Sequence, residues 1–462
     1  MKINIEKSLK ILFVLGLFFF SFNQVEMFPF MGEYVREFGA SFFLLGFAIL
    51  CFDSLKTGKL YLPYNNLLYQ LLILFFSLCI ICSLVNFNDI ITNYFKRTTG
   101  ISRLIRQLIS ISIPIFVFIP FYWRVIKDKK PTEVFYLVRK IFLATLLFAS
   151  FYSFWEIFSQ YYYPASYFFK VIDILPFMDH HFHDGGRISS IAYEVPFFAI
   201  FLISISGWMF SYIITGKNII TKLTPTLLIL ILTFFSGSRT GLLVVFFIFC
   251  LFIAYLFKNN YYRKQIKFSF LFLIICSLLI TIKSEKIKHV FIEKIESLDF
   301  AGNLKTDISN KTRFGMQTAS IQVFKQNPIF GVGFGQQAYH TQFYYPRWAT
   351  KDNYEFDLIY KNKKDPSFPP GYNLYTRILA EMGIIGLISW LSILIYSLVI
   401  IKKLLRLTKD PIIKVTLISI FISLVGLYIN WLQIDTFRMY GVWINLAILI
   451  KLTEYYKNKK HV

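Results

Sequence analysis

The chain reads Asn327-Pro328-Ile329-Phe330-Gly331-Val332-Gly333-Phe334-Gly335 and later Gly371-Tyr372-Asn373-Leu374-Tyr375-Thr376-Arg377-Ile378-Leu379-Ala380-Glu381-Met382-Gly383. The first stretch is a glycine-rich turn in a long polar segment, and the second leads that segment back into an apolar run. Irregular polar backbone is tolerated at a bilayer only where protein covers it or water reaches it. The pattern therefore predicts a structured, arginine-bearing loop at the mouth of a membrane bundle.

The composition excludes a soluble globular protein. Of 462 residues 56% are hydrophobic, 54 are Phe, and the mean hydropathy is +0.55. Apolar runs of roughly 17 to 25 residues predict about twelve membrane spans in an all-α polytopic protein. They lie near 8–25, 41–55, 66–86, 104–123, 135–158, 190–215, 221–236, 240–257, 267–283, 374–401, 413–431 and 438–456.

These spans divide the chain into five segments. N-terminal helices (1–158) precede a first large extracytoplasmic loop (159–189), and central helices (190–283) precede a second one (284–372). The C-terminal helices occupy 373–462. We expect function to reside in the two loops, because they carry the polar groups outside the bilayer.

Lys and Arg fall in the short loops at every second crossing, which predicts that both termini are cytoplasmic. The segment from Lys96 to Arg106 breaks this rule, so it is either an interfacial helix or a sign that the third span is misassigned. The net charge of +23 then serves mainly to anchor helix ends to anionic headgroups. Membrane lipids are the expected partner, and nucleic acid is not.

Polar residues next to the first loop predict a charged outer face. If a helix begins near Ile188, Arg187, Ser190 and Glu194 share one side of it. In the second loop, 284–299 has the spacing of an amphipathic helix, and a further helix is expected from Arg313 to Phe324. The alternate glycines after it would let backbone N–H groups approach an anion.

Charged residues at helix ends require partners. Arg377 and Glu381 are four residues apart, so they either pair on a buried stripe or line an anion site. Arg239 lies between two apolar helices and should meet a negative group, whereas Asp435 is expected to match Arg438 within its own segment.

Three groups of residues together resemble the O-antigen polymerase and O-antigen ligase superfamily of bacterial envelope glycosyltransferases. They are Ser236-Gly237-Ser238-Arg239-Thr240-Gly241, the run from Arg313 to Gly335, and the return from Asn373 to Gly386. Arg187-Ile188-Ser189-Ser190 with Glu194 and Pro196 also looks like the end of the first large loop in many polymerases of this superfamily. The resemblance covers roughly 185–390.

The resemblance implies an integral plasma (inner) membrane enzyme that transfers glycan from an undecaprenyl-diphosphate carrier, with no cofactor, metal or nucleotide sugar. It implies that Arg187, Arg239 and Arg313 bind the carrier diphosphate or an anionic glycan. Guanidinium groups suit this role because they bind phosphate bidentately. A chain-length regulator and a flippase of the same pathway are candidate partners. Further substrate-binding candidates are Arg377, Tyr372 and Asn373.

Ligases of this superfamily usually have a His before the Asn of the return segment, and this chain has Tyr372 there. Tyrosine, with an ordinary pKa near 10, is a poor base at neutral pH, which favours a polymerase over a ligase. Candidates for the catalytic base are Glu194, then His340, with the His180, His181 and His183 cluster as a third option. A flippase or transporter is the alternative class, although the chain has no internal repeat of the kind such carriers show.

Overall fold

The structure is a computed structural model that describes residues 5–161, 187–258, 302 and 307–459. Helices dominate these residues. The helices are α1 (Ile5–Phe18), α2 (Phe38–Thr57), α3 (Leu67–Val85), α4 (Phe87–Thr92), α5 (Gly100–Ser112), α6 (Ile119–Ile126), α7 (Pro131–Tyr161), α8 (Val195–Thr215), α9 (Ile219–Ser236), α10 (Arg239–Lys258), α11 (Ile308–Gln326), α12 (Gln337–Thr341), α13 (Arg347–Thr350), α14 (Leu374–Leu407), α15 (Pro411–Asn430) and α16 (Tyr440–Lys459).

Five short elements complete the described chain. Two strands, β1 (Tyr94–Phe95) and β2 (Thr98–Thr99), pair antiparallel with Tyr94 opposite Thr99. A 3-10 turn covers Gly32–Tyr34, and single π-helical segments cover Ile113–Phe118 and Glu355–Tyr360. The first π-helical segment joins α5 to α6, so Gly100–Ile126 crosses as one 27-residue span.

The all-α polytopic fold is confirmed. Within the described residues, nine helices are long and apolar enough to cross a membrane. Two more predicted spans are helices as well: α1, of 14 residues, and the more polar α16. The remaining one, 267–283, lies outside the described residues.

Helix α8 lies at the centre of the bundle, with 83% of its most apolar window buried. Small residues bring its neighbours close: a Cβ on Gly207 would strike the Ser419 carbonyl of α15, and one on Gly441 would strike Ser204. Lipid chains are as apolar as the helices, so such close backbone packing is what holds membrane helices together.

The bundle has two distinct ends. At the basic end, defined by residues 56–66, 124–130 and 451–458, Asn66 donates to Thr453 (2.6 Å) and Lys451 donates to the Lys127 carbonyl (2.7 Å). Glu6 pairs with Arg124 there, so α1 begins where α16 ends. The loop end, opposite, holds residues 86–103, 187–194, 236–239, 307–373 and 431–440. The assignment of the basic end to the cytoplasm stays a prediction.

One local expectation is wrong. Residues 187–194 are irregular: Ser190 has φ +53°, and α8 begins only at Val195, with Pro196 in its first turn. Arg187, Ser190 and Glu194 therefore share no helix face. In the segment from Lys96 to Arg106, residues 96–99 belong to a hairpin and residues 100–106 to α5, so the segment is helical in part; its position at the membrane surface stays a prediction. Lys96 donates to the Ile359 carbonyl (2.5 Å), so second-loop residues cover the hairpin.

The predicted helix from Arg313 is confirmed as part of α11, which ends at Gln326 with Asn327 as its C-cap. The glycine turn that follows fits against a break in α14 at Gly383 (φ +64°, ψ −158°). The Val332 and Gly333 N–H groups donate to the Ala380 and Glu381 carbonyls (3.0 and 2.9 Å). The turn is thereby fixed to the helix that carries Arg377.

Candidate functional site

The end of the first loop is held by a carboxylate of α7. Glu156 accepts the Ser189 and Ser190 N–H groups (3.0 and 2.8 Å), while the Ile188 N–H donates to the Phe235 carbonyl (3.2 Å). Since these bonds fix the backbone on both sides of Ile188, they also fix the position from which Arg187 extends.

Arg187 lies over the turn between α9 and α10. Gly237 ends α9 at φ +65°, and a Cβ there would lie 2.6 Å from the Arg187 Cγ. Glycine supplies both the left-handed conformation and the space. Arg239 follows at the start of α10, so the Ser-Gly-Ser turn brings two arginines together.

Three arginines from separate segments converge at this point. Burial lowers the pKa of Arg187, and the charges of Arg239 and Arg313 lower it further. Asp307 binds Arg239, with both carboxylate oxygens 3.2 Å from Nη2. Burial would raise the pKa of Asp307, but bonds from the Asn310 N–H and Arg239 outweigh it and hold that pKa low. The expected negative partner of Arg239 is therefore present.

Arg313 is the member of this arginine cluster (Arg187, Arg239 and Arg313) that lines a cavity of about 230 Å³. The cavity opens among the start of α8, the turn before α10, α11, the strap before α14 (residues 370–373), and the chain between α15 and α16. Its lining consists of Glu194, Pro196, Phe197, Ala199, Ser238, Thr240, Arg313, Pro370, Tyr372, Asn430, Gln433, Ile434, Asp435, Thr436 and Arg438. Carboxylates and guanidinium groups thus face one space.

Tyr372 lines the cavity and also has a structural role. It adopts φ +53°, its ring lies 5.4 Å from the Arg313 guanidinium carbon, and its hydroxyl is 2.5 Å from that of Tyr360. Burial raises the pKa of Tyr372 to about 12. At neutral pH the phenolate that could act as a base is therefore even less populated than for an ordinary tyrosine.

Arg438 contributes a further guanidinium to the cavity wall, and its partners come from the opposite end of the sequence. It lies 3.4 Å from Glu37 and 4.0 Å from Glu33. The expectation that Asp435 would match Arg438 is wrong, because Asp435 instead accepts the Gly371 N–H (2.6 Å) and lies 4.0 Å from Arg377. Sequence reasoning missed the two glutamates, which lie over 400 residues from Arg438.

The two glutamates have opposite pKa shifts. Burial would raise the pKa of Glu33, but Arg438, Arg377 and Arg103 outweigh it and lower that pKa to about 2. For Glu37, burial prevails over Arg438 and raises the pKa to about 7. The wall behind Arg438 therefore holds one firmly ionised carboxylate and one that titrates near neutrality.

Arg377 is buried, at 3% exposure, and each of its three guanidinium nitrogens donates a hydrogen bond. It donates to Glu381 (3.1 Å), the Asp435 carbonyl (2.7 Å) and Gln107 (2.5 Å). The expected pair with Glu381 is confirmed, and Arg377 does not line the cavity. The assignment of Arg377 to substrate binding stays a prediction. Its contacts with Asp435 also give it a structural role.

Asn373 also acts as a structural group. Its Oδ1 caps α14 by accepting the Tyr375 and Thr376 N–H groups (2.9 and 3.1 Å), and its Nδ2 approaches Gln317 of α11 (3.4 Å). Because Asn373 fixes the residue before it, it sets the position of Tyr372 in the cavity wall. Direct contact of Asn373 with substrate stays a prediction.

His340 lies apart from the cavity lining. Burial lowers its pKa, against the opposing charge of Asp89, and its Nε2 is buried without a hydrogen bond. The glycine turn does not present the N–H groups of Val332 and Gly333 to an anion, since α14 accepts both. The His180, His181 and His183 cluster and the helix expected at 284–299 lie outside the described residues.

Residues 225–391 match the family model described as O-Antigen ligase. The match contains Arg239, Arg313 and the stretch from Gly371 to Arg377. It leaves out Arg187, Glu194 and Arg438. No curated protein matches the chain.

Proposed function

We propose, from the match of residues 225–391 to the O-Antigen ligase family model, that this chain polymerises undecaprenyl-diphosphate-linked oligosaccharide repeat units into a surface polysaccharide. The polymer would be O-antigen or a related glycan, made on the outer side of the plasma membrane. The observation that carries this proposal is the arginine cluster beside a cavity that also holds carboxylates.

The arginine cluster suits a diphosphate leaving group. In the transfer, an acceptor sugar hydroxyl forms a bond to the anomeric carbon of the donor, and the bond from that carbon to the phosphate oxygen breaks. The electron pair leaves with undecaprenyl diphosphate, so negative charge grows on the phosphate. Guanidinium groups fixed in advance stabilise that growing charge. Arg313 is the best placed, because it also lines the cavity.

The acceptor proton needs a base, and Glu194 is our first candidate. It is exposed and lines the cavity, and its carboxylate makes no capping hydrogen bond to a backbone N–H at the start of α8. A carboxylate at this position can take the hydroxyl proton as the new bond forms. His340 is a weaker candidate, since it does not line the cavity and burial disfavours its charged form.

Tyr372 supports polymerase over ligase. It occupies the place where resembling ligases carry a base, and its raised pKa and its bond to Tyr360 suit a wall residue. A ligase, which moves the finished chain to lipid A–core, remains the second candidate because residues 225–391 match a model described by that activity.

The test is deletion of the gene in its host, with complementation by wild type, Arg313→Ala and Glu194→Gln. Surface polysaccharide is then resolved on a gel. A polymerase predicts that the ladder collapses to a single capped repeat unit and that neither variant restores it. Long chains left on the carrier would identify a ligase, and an unchanged pattern would contradict both activities and favour a carrier function.

A further inference from the structure

The basic end of the bundle contains an apolar groove of about 570 Å³. It lies between the last turns of α2 and the segment that follows, and Phe116 closes one side. Its walls are mostly Phe and Leu side chains, with Lys59 and Tyr61 at the edge. Leu55 and Leu60, also in the wall, are 86% and 69% exposed. Such surface is stable only against something apolar.

A polar cleft of about 460 Å³ is present at the same end. It is lined by Lys127, Asp128, Lys129, Lys130, Lys451, Glu454, Tyr455 and Asn458. Four lysines face two carboxylates, so the cleft carries excess positive charge. The Lys451 ammonium donates to the Lys127 and Lys129 carbonyls and thereby fixes the lysine-bearing turn after α6.

Tyr61 joins the groove to the cleft. Its ring lines the groove, and the Lys127 ammonium, which lines the cleft, lies 5.1 Å from the ring centre. Arg124 lies 4.8 Å from the same ring. Trp123 donates its indole N–H to Glu454 (2.7 Å) and lies 5.3 Å from Lys127. Aromatic rings with one polar edge are typical of the headgroup level of a membrane.

From this arrangement we infer a binding site for one anionic phospholipid, with an acyl chain in the groove and the phosphate headgroup at the cleft. Both halves of the ligand are matched, because the groove offers apolar walls and the cleft offers ammonium groups. Each Lys or Arg near a membrane surface adds to the attraction for anionic lipid. A soluble anion would satisfy only the cleft, and a zwitterionic lipid only the groove.

The experiment uses the full chain in detergent and native mass spectrometry. The probes are phosphatidylglycerol, phosphatidylcholine with the same acyl chains, and glycerol phosphate. We expect one phosphatidylglycerol to bind at least tenfold more tightly than phosphatidylcholine, and glycerol phosphate not to compete. Equal binding of the two lipids, or full competition by glycerol phosphate, would overturn the site.

Two double variants distinguish a specific lipid site from diffuse electrostatic attraction. Lys127→Gln with Lys129→Gln should abolish most of the preference for phosphatidylglycerol. Lys402→Gln with Lys403→Gln removes the same charge from exposed positions at the end of α14, outside groove and cleft, and should leave the preference intact. An equal loss in both double variants would mean that only total charge matters and would contradict the inference.

The groove is tested separately with Ser54→Trp, which fills it from a partly exposed position. This variant should weaken phosphatidylglycerol with long acyl chains several-fold and leave a short-chain analogue unaffected. A thermal unfolding curve that matches wild type would establish that the variant folds. Unchanged binding of the long-chain lipid by a folded variant would place the acyl chain elsewhere and overturn that half of the inference.

Discussion

Arg377 and Arg313 belong to the same matched region but have opposite environments. Arg377 is 3% exposed and donates to three acceptors within the protein. Arg313 is partly exposed, stacks near Tyr372, and adds its charge to those of Arg187 and Arg239. One guanidinium is compensated within the fold, while the cluster concentrates positive charge beside a cavity.

This difference indicates how the two arginines act. A buried ion keeps a fold intact only while its partners remain, so its loss affects folding. A crowded set of cations raises the free energy of the empty protein and favours a multiply charged anion. The four predictions below test this contrast, from the largest expected effect to the smallest.

Arg377→Ala should destabilise the protein by about 3–5 kcal/mol, because Glu381 would be left as an uncompensated buried charge. The measurement is the amount of protein in the membrane together with the thermal unfolding temperature in detergent. As a control, Arg377→Leu with Glu381→Leu removes both charges and should recover part of the loss. A single variant that is stable yet inactive would move Arg377 from the structural to the substrate-binding group.

The pH dependence of stability should reveal Glu37. Because burial raises its pKa to about 7, folding favours the protonated form. This contribution is complete below its ordinary pKa of 4.5 and is lost as the pH rises through 7. We expect unfolding free energy to fall by up to about 3 kcal/mol between pH 5 and 7. Thermal unfolding at these pH values is the measurement.

Glu37→Gln should flatten that dependence, and Glu33→Gln serves as the matched control. The pKa of Glu33 is lowered to about 2, so its stabilising contribution is complete above 4.5 and is lost only as the pH falls through 2. Glu33→Gln should therefore leave the slope between pH 5 and 7 in place. A flat wild-type curve, or a slope that disappears with Glu33→Gln, would contradict the assignment.

Arg313→Ala should lower polymer formation about 100-fold, equivalent to roughly 2.7 kcal/mol of transition-state stabilisation. The unfolding temperature should stay near that of wild type. Arg313→Lys should restore only part of the activity, since an ammonium keeps the charge but loses the bidentate geometry. Polymer length and amount on a gel provide the readout. Full activity in Arg313→Ala would remove Arg313 from the site.

Tyr372→Phe should have the smallest effect, a loss of activity of about threefold or less. Only one bond to Tyr360 is lost, and a neutral hydrogen bond contributes about 1 kcal/mol. The same polymerisation assay with matched protein amounts provides the measurement. A loss above a hundredfold would show that the phenol takes part in proton transfer, and it would weaken the distinction from ligases.

The apolar runs were enough to predict the helices, because membrane spans depend on local composition. All eleven predicted spans that lie in the described residues are helical. The segment from Arg187 to Glu194 was misread because the left-handed conformation of Ser190 and the backbone hydrogen bonds that Glu156 accepts depend on tertiary contacts. Local helical spacing carries no information on such contacts.

The arginine cluster was predicted through the family motifs, whereas the wall behind Arg438 was not. Glu33 and Glu37 lie in a connecting segment with no motif, and only tertiary contacts between the segment before α2 and the segment before α16 bring them to Arg438. The segment 433–438 gave one usable signal of a charged site, since Asp435 and Arg438 are charged residues between two apolar runs. Their partners could not be assigned from spacing alone.

The break at Gly383 has a consequence for biosynthesis. The Ile384 N–H donates to the Pro328 carbonyl (2.8 Å), and the Ala380 and Glu381 carbonyls accept from the glycine turn. Exposed peptide groups are costly in hydrocarbon, so α14 is a complete membrane helix only with the turn in place. The turn precedes α14 in the sequence and therefore leaves the ribosome first. Its partner is already made when α14 enters the bilayer.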